Sequence, residues 1–287
     1  MIDRAGLIEA ERAIEAALAT GDGRGLALLG QGEFSLVVGW PAVSPRCALK
    51  RLPVFAGRAA FESYARTFDR YLEALAAAGV RVLETSLVDL ERPDGRVSAY
   101  AVQPALPAAS LAVRSPSREV LEAIAGAARR TVSDREGLDA QIANWALDRD
   151  GLVYLDVTTP LLADEAGGSE VDPTPFLAAF PAPLRAPIRQ FVLPGIRRRY
   201  HQLRTVLLDL CANLLKERLE PLLPVALEVA REHLGDEPLT EREVRRDYSA
   251  DARTWAAMLA LRRVDRWWQT RVRRRVYPYL LPGRIDR

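Results

Sequence analysis

Apolar positions along the chain follow two periods, and the change from one to the other divides the sequence. Residues 4–19 carry Leu7, Ile14 and Leu18 on one helical face, with Asp3 placed to cap the start and Gly21-Asp22-Gly23 to end it. Leu26 to Leu29 and Leu36 to Trp40 then read as short strands joined by Gly30-Gln31-Gly32-Glu33-Phe34-Ser35, and Pro41 closes the second. Cys47 to Leu52 is a third strand, stopped by Pro53. In residues 59–78, Phe61, Tyr64, Phe68, Leu72 and Leu75 repeat at helical spacing, and Gly79 follows at the expected stop. A hairpin of Val82–Leu90 and Val97–Gln103 turns at Pro93-Asp94-Gly95. Pro104 to Pro107 reads as a linker. Ser117 caps a helix to about Val132, with Leu121, Ile124 and Ala128 inward. Ile142–Leu147 and Leu152–Asp156 form a tight hairpin around Arg149-Asp150-Gly151. Beyond Pro175 the pattern is helical, with breaks expected at Pro181, Pro183, Pro194, Pro221, Pro224 and Pro278.

This order predicts an α+β protein. A small antiparallel-sheet lobe with one main helix (residues 1–104, including the 4–19 helix) precedes a larger, mostly helical lobe (105–287). A length of 287 residues suits two lobes sharing a cleft.

Composition narrows the chemistry. No apolar run approaches the ~20 residues that span a bilayer, and Glu9, Glu11 and Glu15 interrupt any signal-like segment at the start, so a soluble cytoplasmic protein is expected. Cys47 and Cys211 are isolated, and His201 and His233 are the histidines, which argues against a zinc site, a disulfide framework or a Ser-His-Asp triad. Of 40 basic residues only Lys50 and Lys216 are lysines, so a lysine here is informative. Residues 183–287 hold 22 basic and 13 acidic side chains. That third of the chain is either a set of solvated Arg-rich helices or a surface for an anionic ligand or partner. Trp267-Trp268-Gln269-Thr270-Arg271-Val272-Arg273-Arg274-Arg275 fits nucleic acid, an anionic membrane face, or a terminal helix packing its Trp inward, and Ile196-Arg197-Arg198-Arg199-Tyr200 invites the same readings.

Four segments carry candidate chemistry. Gly30 to Val37 lies between two strands, and its glycines let backbone N–H groups approach phosphates. Lys50 sits on the next strand between apolar residues, where its compact charge suits α/β-phosphate oxygens. Asp139 precedes Asn144 by five positions, and Asp156 follows twelve later at the end of the second hairpin. That hairpin brings Asn144 and Asp156 together as hard oxygen ligands for Mg²⁺, with Asp139 placed to accept a hydroxyl proton.

Taken in order, these segments resemble the protein-kinase-like superfamily, most closely its bacterial small-molecule branch of aminoglycoside phosphotransferase and choline-kinase-like enzymes. Gly30-Gln31-Gly32-Glu33-Phe34-Ser35-Leu36-Val37 is similar to the kinase glycine loop, with Ser35 at its third glycine. Ala48-Leu49-Lys50 resembles the V-A-I-K strand, Val102-Gln103-Pro104-Ala105 falls at the adenine hinge, Asp139 to Asn144 has the catalytic-loop spacing, and Asp156 falls at the metal-binding Asp. The likeness covers residues 26–160 by motif. It implies a two-lobed kinase-like fold and an ATP- and Mg²⁺-dependent phosphotransferase acting on a small-molecule hydroxyl. Gly30, Gly32, Ser35, Val37, Gln103 and Ala105 would surround the nucleotide, Lys50 would hold its phosphates, Asn144 and Asp156 would carry the metal, and Asp139 would be catalytic. Leu138 before Asp139, Val157-Thr158 after Asp156, and the lack of an A-P-E segment depart from the pattern. A partner for Lys50 is open among Glu62, Asp69 and Glu73 on the 59–78 helix, with Glu62 favoured. A nucleotide-binding scaffold of low or no activity, a nucleotidyl transferase, and a basic nucleic-acid or membrane binder are the competing expectations.

Overall fold

The computed structural model describes residues 2–31, 36–165, 167–178 and 180–281. Helix α1 (Arg4–Thr20) starts where Asp3 accepts the Gly6 N–H at 2.8 Å and ends at Gly21, whose φ of 71° is the left-handed cap that glycine adopts without strain. Strands β1 (Leu28–Gln31), β2 (Leu36–Trp40) and β3 (Cys47–Arg51) follow, then helix α2 (Arg58–Ala77), then β4 (Ser86–Glu91) and β5 (Val97–Pro104). The five strands form one antiparallel sheet in the order β1-β2-β3-β5-β4, which puts β3 at its centre.

Register decides what each face of this sheet does. Val37, Lys50 and Ala101 lie directly across from one another, as do Ala48 and Gln103, so these side chains share one face. The alternate residues Leu36, Val38, Leu49, Tyr100 and Val102 are buried against Leu7, Ala10, Ile14 and Leu18 of α1. That face is further fixed by an ionic cluster. Glu11 of α1 is buried, accepts from Arg51 at 2.9 Å, Arg92 at 3.2 Å and Ser98 at 2.7 Å, and meets the Tyr100 hydroxyl. Burial opposes the charge of Glu11, but the guanidinium of Arg51 and the hydroxyls of Tyr100 and Ser98 together outweigh it and hold the carboxyl below its ordinary value.

The remainder consists of helices, one hairpin and the loops that join them. Helix α3 (Arg118–Thr131) starts at Ser117, whose hydroxyl accepts the Val120 N–H, as its sequence predicts. The hairpin β6 (Trp145–Asp148) and β7 (Gly151–Tyr154) is shorter than expected, because Ile142–Asn144 is a 3₁₀ turn rather than strand. Helices α4 (Thr174–Leu177), α5 (Ala182–Pro187), α6 (Leu193–His201), α7 (Leu203–Lys216), α8 (Leu223–Leu234) and α9 (Glu241–Trp267) complete the chain, with π-helical turns at Ile188–Val192 and Trp268–Val272. Pro194 and Pro224 open helices rather than break them, since a first-turn residue needs no N–H partner. Residues 273–281 are not helical, which corrects the expectation of helix throughout. A second, larger core runs without interruption from Leu52, Phe55 and the inner face of α2, through Val97 and Ala99 of the sheet, to α3, the β6–β7 hairpin, α7 and α8. It crosses the boundary drawn at residue 104. No helix among the described residues is long and apolar enough to cross a membrane.

Candidate active site

Lys50 projects from the central strand, on the sheet face away from α1. Its ammonium donates to Oδ1 of Asp156 at 2.6 Å, although the two residues stand 106 positions apart. Neither side chain is fully exposed, so the pair sits in a partly dehydrated recess. The sequence favoured Glu62 as the partner of Lys50. Glu62 is exposed instead, as are Asp69 and Glu73, because α2 turns its apolar stripe to the core and its acids to water. The acid that meets Lys50 is Asp156.

Asp156 lies two residues beyond β7, and Thr158 holds it there. The Thr158 hydroxyl and N–H donate to Oδ1 at 3.1 and 3.4 Å and orient the carboxylate. Oδ2 takes no hydrogen bond or ion pair from the described residues. Burial opposes the charge on Asp156, yet the Lys50 ammonium and the hydrogen bonds from Thr158 together outweigh it and hold the carboxyl below the ordinary value.

Asp139 is placed by the loop from Glu136 to Gln141. Gly137 within it is required by close approach, since a Cβ there would stand 2.9 Å from the Tyr200 carbonyl oxygen and 3.0 Å from Nε2 of His201. Leu138 is completely buried and anchors the loop from below. Oδ1 of Asp139 accepts the Gln141 N–H at 3.2 Å, and the Asn144 amide donates to the Asp139 carbonyl at 3.3 Å. Burial first, then the nearby charges of Asp209 and Asp156, push the Asp139 carboxyl up to about 7. The hydrogen bonds from Gln141 and Asn144 work against that rise without cancelling it. Two carboxylates thus share one recess with opposite tendencies. Asp156 keeps its charge, and Asp139 is poised to hold or release a proton near neutrality.

The supports of these loops were not legible as such. Tyr64 and Tyr71 belong to the apolar stripe of α2, but the Tyr71 hydroxyl donates to the Gly137 carbonyl at 3.1 Å and the Tyr64 hydroxyl to the Thr158 carbonyl at 2.9 Å. One helix therefore fixes the loop before Asp139 and the turn after Asp156. On the other side, Gln141 donates to Asp209 of α7 at 2.8 Å and accepts from Asn213 at 3.1 Å. Asp209 in turn pairs with Arg199 of α6, which also reaches Asp247 at 2.7 Å. Arg199, read as one of an arginine run, is thus an internal strut.

The nucleotide-side residues are placed unequally. Gly30 and Val37 pair across β1 and β2, with Val37 on the face of Lys50. Gly32 and Ser35 lie outside the described residues. The Gln103 amide is committed to the Thr85 hydroxyl at 2.9 Å and the Leu155 carbonyl at 2.8 Å, so it ties the sheet to the strand leading to Asp156. Ala105 gives its N–H to the Arg46 carbonyl at 3.0 Å. Neither group has a hydrogen-bond donor left to offer a ligand in this conformation. A surface cavity of about 360 Å³ lies elsewhere, lined by Asp134, Arg135, Asp164, Arg198 and His201 among others.

Asn144 and Asp156 suit a hard cation. The Asn144 amide nitrogen donates to the Asp139 carbonyl, which leaves its Oδ1 as a ligand oxygen, and the Leu155 N–H donates to the Asn144 carbonyl at 2.9 Å, next to Asp156 in the chain. Among the described residues no group of three His, Cys, Asp or Glu side chains is arranged to hold a metal.

The chain belongs to the family described as a family of unknown function (DUF6206), whose model matches residues 9–266. No curated protein matches it.

Proposed function

We propose that this member of the family is a kinase-like, two-lobed phosphotransferase that moves a phosphoryl group from ATP to a small-molecule hydroxyl. The observation that carries the reading is the convergence of Lys50 with Asp156 at 2.6 Å, beside a second acid, Asp139, whose carboxyl is pushed up to about 7. A strand-borne cation, a charged acid and a near-neutral acid are the parts that in-line phosphoryl transfer needs.

In this reading Lys50 holds the phosphates through its ammonium, and Gly30, Gly32 and Ser35 cover them with backbone N–H groups. Val37 bounds the adenine side, with Gln103 and Ala105 shaping the edge through the backbone they tether. Asp156 through Oδ2 and Asn144 through Oδ1 would hold Mg²⁺, which neutralises charge on phosphate oxygens when bound. Asp139 orients the acceptor hydroxyl and takes its proton at the carboxylate. Tyr64, Tyr71 and Thr158 keep the acids in place and touch no substrate.

A second reading, a nucleotide-binding scaffold, draws support from the absence of an α2 acid at Lys50, which leaves Lys50 bonded to the acid assigned to the metal. Thermal unfolding with ATP, with and without Mg²⁺, tests both. Ligand at about a hundred times its dissociation constant adds ~2.7 kcal/mol to stability. A Mg²⁺-dependent rise that disappears in Lys50→Ala and in Asp156→Ala supports the site, and ATP turnover lost in Asp139→Asn supports the transferase over the scaffold. No rise at saturating ATP with folded protein refutes both.

A further inference from the structure

The C-terminal end of α9 presents an apolar stripe to solvent. At 3.6 residues per turn, Ala257, Leu261, Val264 and Trp268 lie along one side of the helix, while Trp255, Leu259 and Arg262 lie on the opposite side. The second side is the buried one. It is fastened to the protein by the Arg262 guanidinium, which stacks 5.0 Å from the Tyr279 ring. The helix has therefore already used one face for the core and cannot turn the other inward. Leu261, Val264, Trp267, Trp268 and Val272 are 48–64% exposed, an unusual concentration of large apolar groups on one surface.

The charge around the stripe is one-sided. Residues 252–281 contain eight arginines and a single acid, Asp265. Arg271, Arg273, Arg274 and Arg275 are exposed beside the tryptophans. Aliphatic and indole side chains flanked by arginines are the pattern of a helix lying in a membrane interface, where indoles settle at headgroup depth and guanidinium groups meet lipid phosphates. A nucleic-acid surface would use the tryptophans and arginines but would leave Leu261, Val264 and Val272 in water. No helix among the described residues is long and apolar enough to cross a membrane, and the stripe suits contact along the surface.

We propose that the Leu261–Arg275 segment docks this protein on anionic phospholipid membranes, with Leu261, Val264, Trp267, Trp268 and Val272 inserted and Arg271 and Arg273 to Arg275 on the headgroups. The assignment is independent of the chemistry proposed for Lys50 and Asp156.

Co-sedimentation of the full chain with vesicles tests it, using phosphatidylcholine alone and equimolar phosphatidylcholine and phosphatidylglycerol. Binding to the anionic vesicles, weakened by salt, with a blue shift of tryptophan emission, is the expected result. Trp267→Ser with Trp268→Ser should weaken it at least about tenfold through lost apolar burial, with an unchanged unfolding midpoint because both residues are exposed. Should that variant fold poorly, Arg271→Gln with Arg273→Gln serves instead, at about fivefold per charge. Equal binding to both vesicle types, or none to either, overturns the proposal. So does a single-stranded oligonucleotide that binds more tightly than the vesicles and displaces them, or a dimer in solution that the tryptophan variant dissolves.

Discussion

Replacing Asp139 with asparagine should make the protein more stable above neutral pH, not less. The carboxyl rises from an ordinary value of 3.8 to about 7 on folding, because it loses water and faces Asp209 and Asp156. At ~1.4 kcal/mol for each tenfold change in proton affinity, that rise is worth about 4 kcal/mol when the group is fully ionised. Partial access to water lowers the expected gain to ~2–4 kcal/mol. The direction follows from proton counting. Between the two values the folded protein binds the proton that the unfolded chain has released, so the stability contributed by this group is complete below its unfolded pKa and is lost as pH climbs through the folded one. Asparagine has no proton to lose, and its Oδ1 can still accept the Gln141 N–H that Asp139 accepts at 3.2 Å. Urea unfolding of both proteins, followed by tryptophan fluorescence across a pH series, reads the difference. The two should match below about pH 4 and diverge to a plateau above about pH 8. A constant gap at all pH values, or a variant less stable at high pH, would refute the claim that Asp139 is held in the fold at a cost. The same variant is expected to lose phosphoryl transfer, so one substitution would raise stability and remove activity.

Other expectations concern the supports. Glu11→Ala leaves Arg51 buried without its partner and should cost ~3–5 kcal/mol in urea unfolding, and a loss below ~1 kcal/mol would show the cluster to be hydrated. Since the Glu11 carboxyl is depressed, its contribution is present above the ordinary glutamate range and fades as pH falls through its folded value, which a Glu11→Gln comparison at acid pH would register. Tyr64→Phe strands the Thr158 carbonyl and should cost ~1–3 kcal/mol, with a stability unchanged by the substitution counting against the clamp. Thr158→Val removes a hydroxyl donor from Asp156 and should raise its pKa, visible in the carboxyl carbon's NMR shift against pH.

The elements with local signals were legible. Asp3, Gly79 and Ser117 mark helix ends by their own chemistry, and the strand runs around Lys50 fall within a residue or two of their expected places. Failures occur where a distant segment decides. The first strand of the larger hairpin was expected from Val82, but Val82 bridges to Tyr154 and the Leu83 N–H donates to the Tyr154 carbonyl, so β4 begins only at Ser86. The site shows the same division. Spacing predicts that Asp139, Asn144 and Asp156 lie near one another, as they do, whereas it does not give the partner of Lys50, because periodicity fixes which face of α2 is apolar but not how far its acids stand from β3. Tyr64 and Tyr71 were placed correctly in the core, yet a hydroxyl at the edge of an apolar stripe leaves no mark of the carbonyl it will meet. The Asp209–Arg199–Asp247 chain joins three helices and has no sequence period at all.

The continuity of the larger core bears on how this protein emerges during synthesis. A chain that has grown only to residue 104 carries the whole sheet and α2, but Leu52, Phe55, Phe61, Tyr64, Phe68 and Tyr71 then lack the helices that cover them. The outer face, closed by α1, then lacks only Leu280 of its apolar residues, while the inner face waits for residues up to Val244. The nascent half is thus a sheet with one dry side and one sticky side, open to capture by chaperones or by another chain. Lys50 meanwhile stands on the uncovered side without Asp156. Neither half is expected to be a useful fragment, and truncation at the apparent linker should give aggregates rather than a separable nucleotide-binding piece.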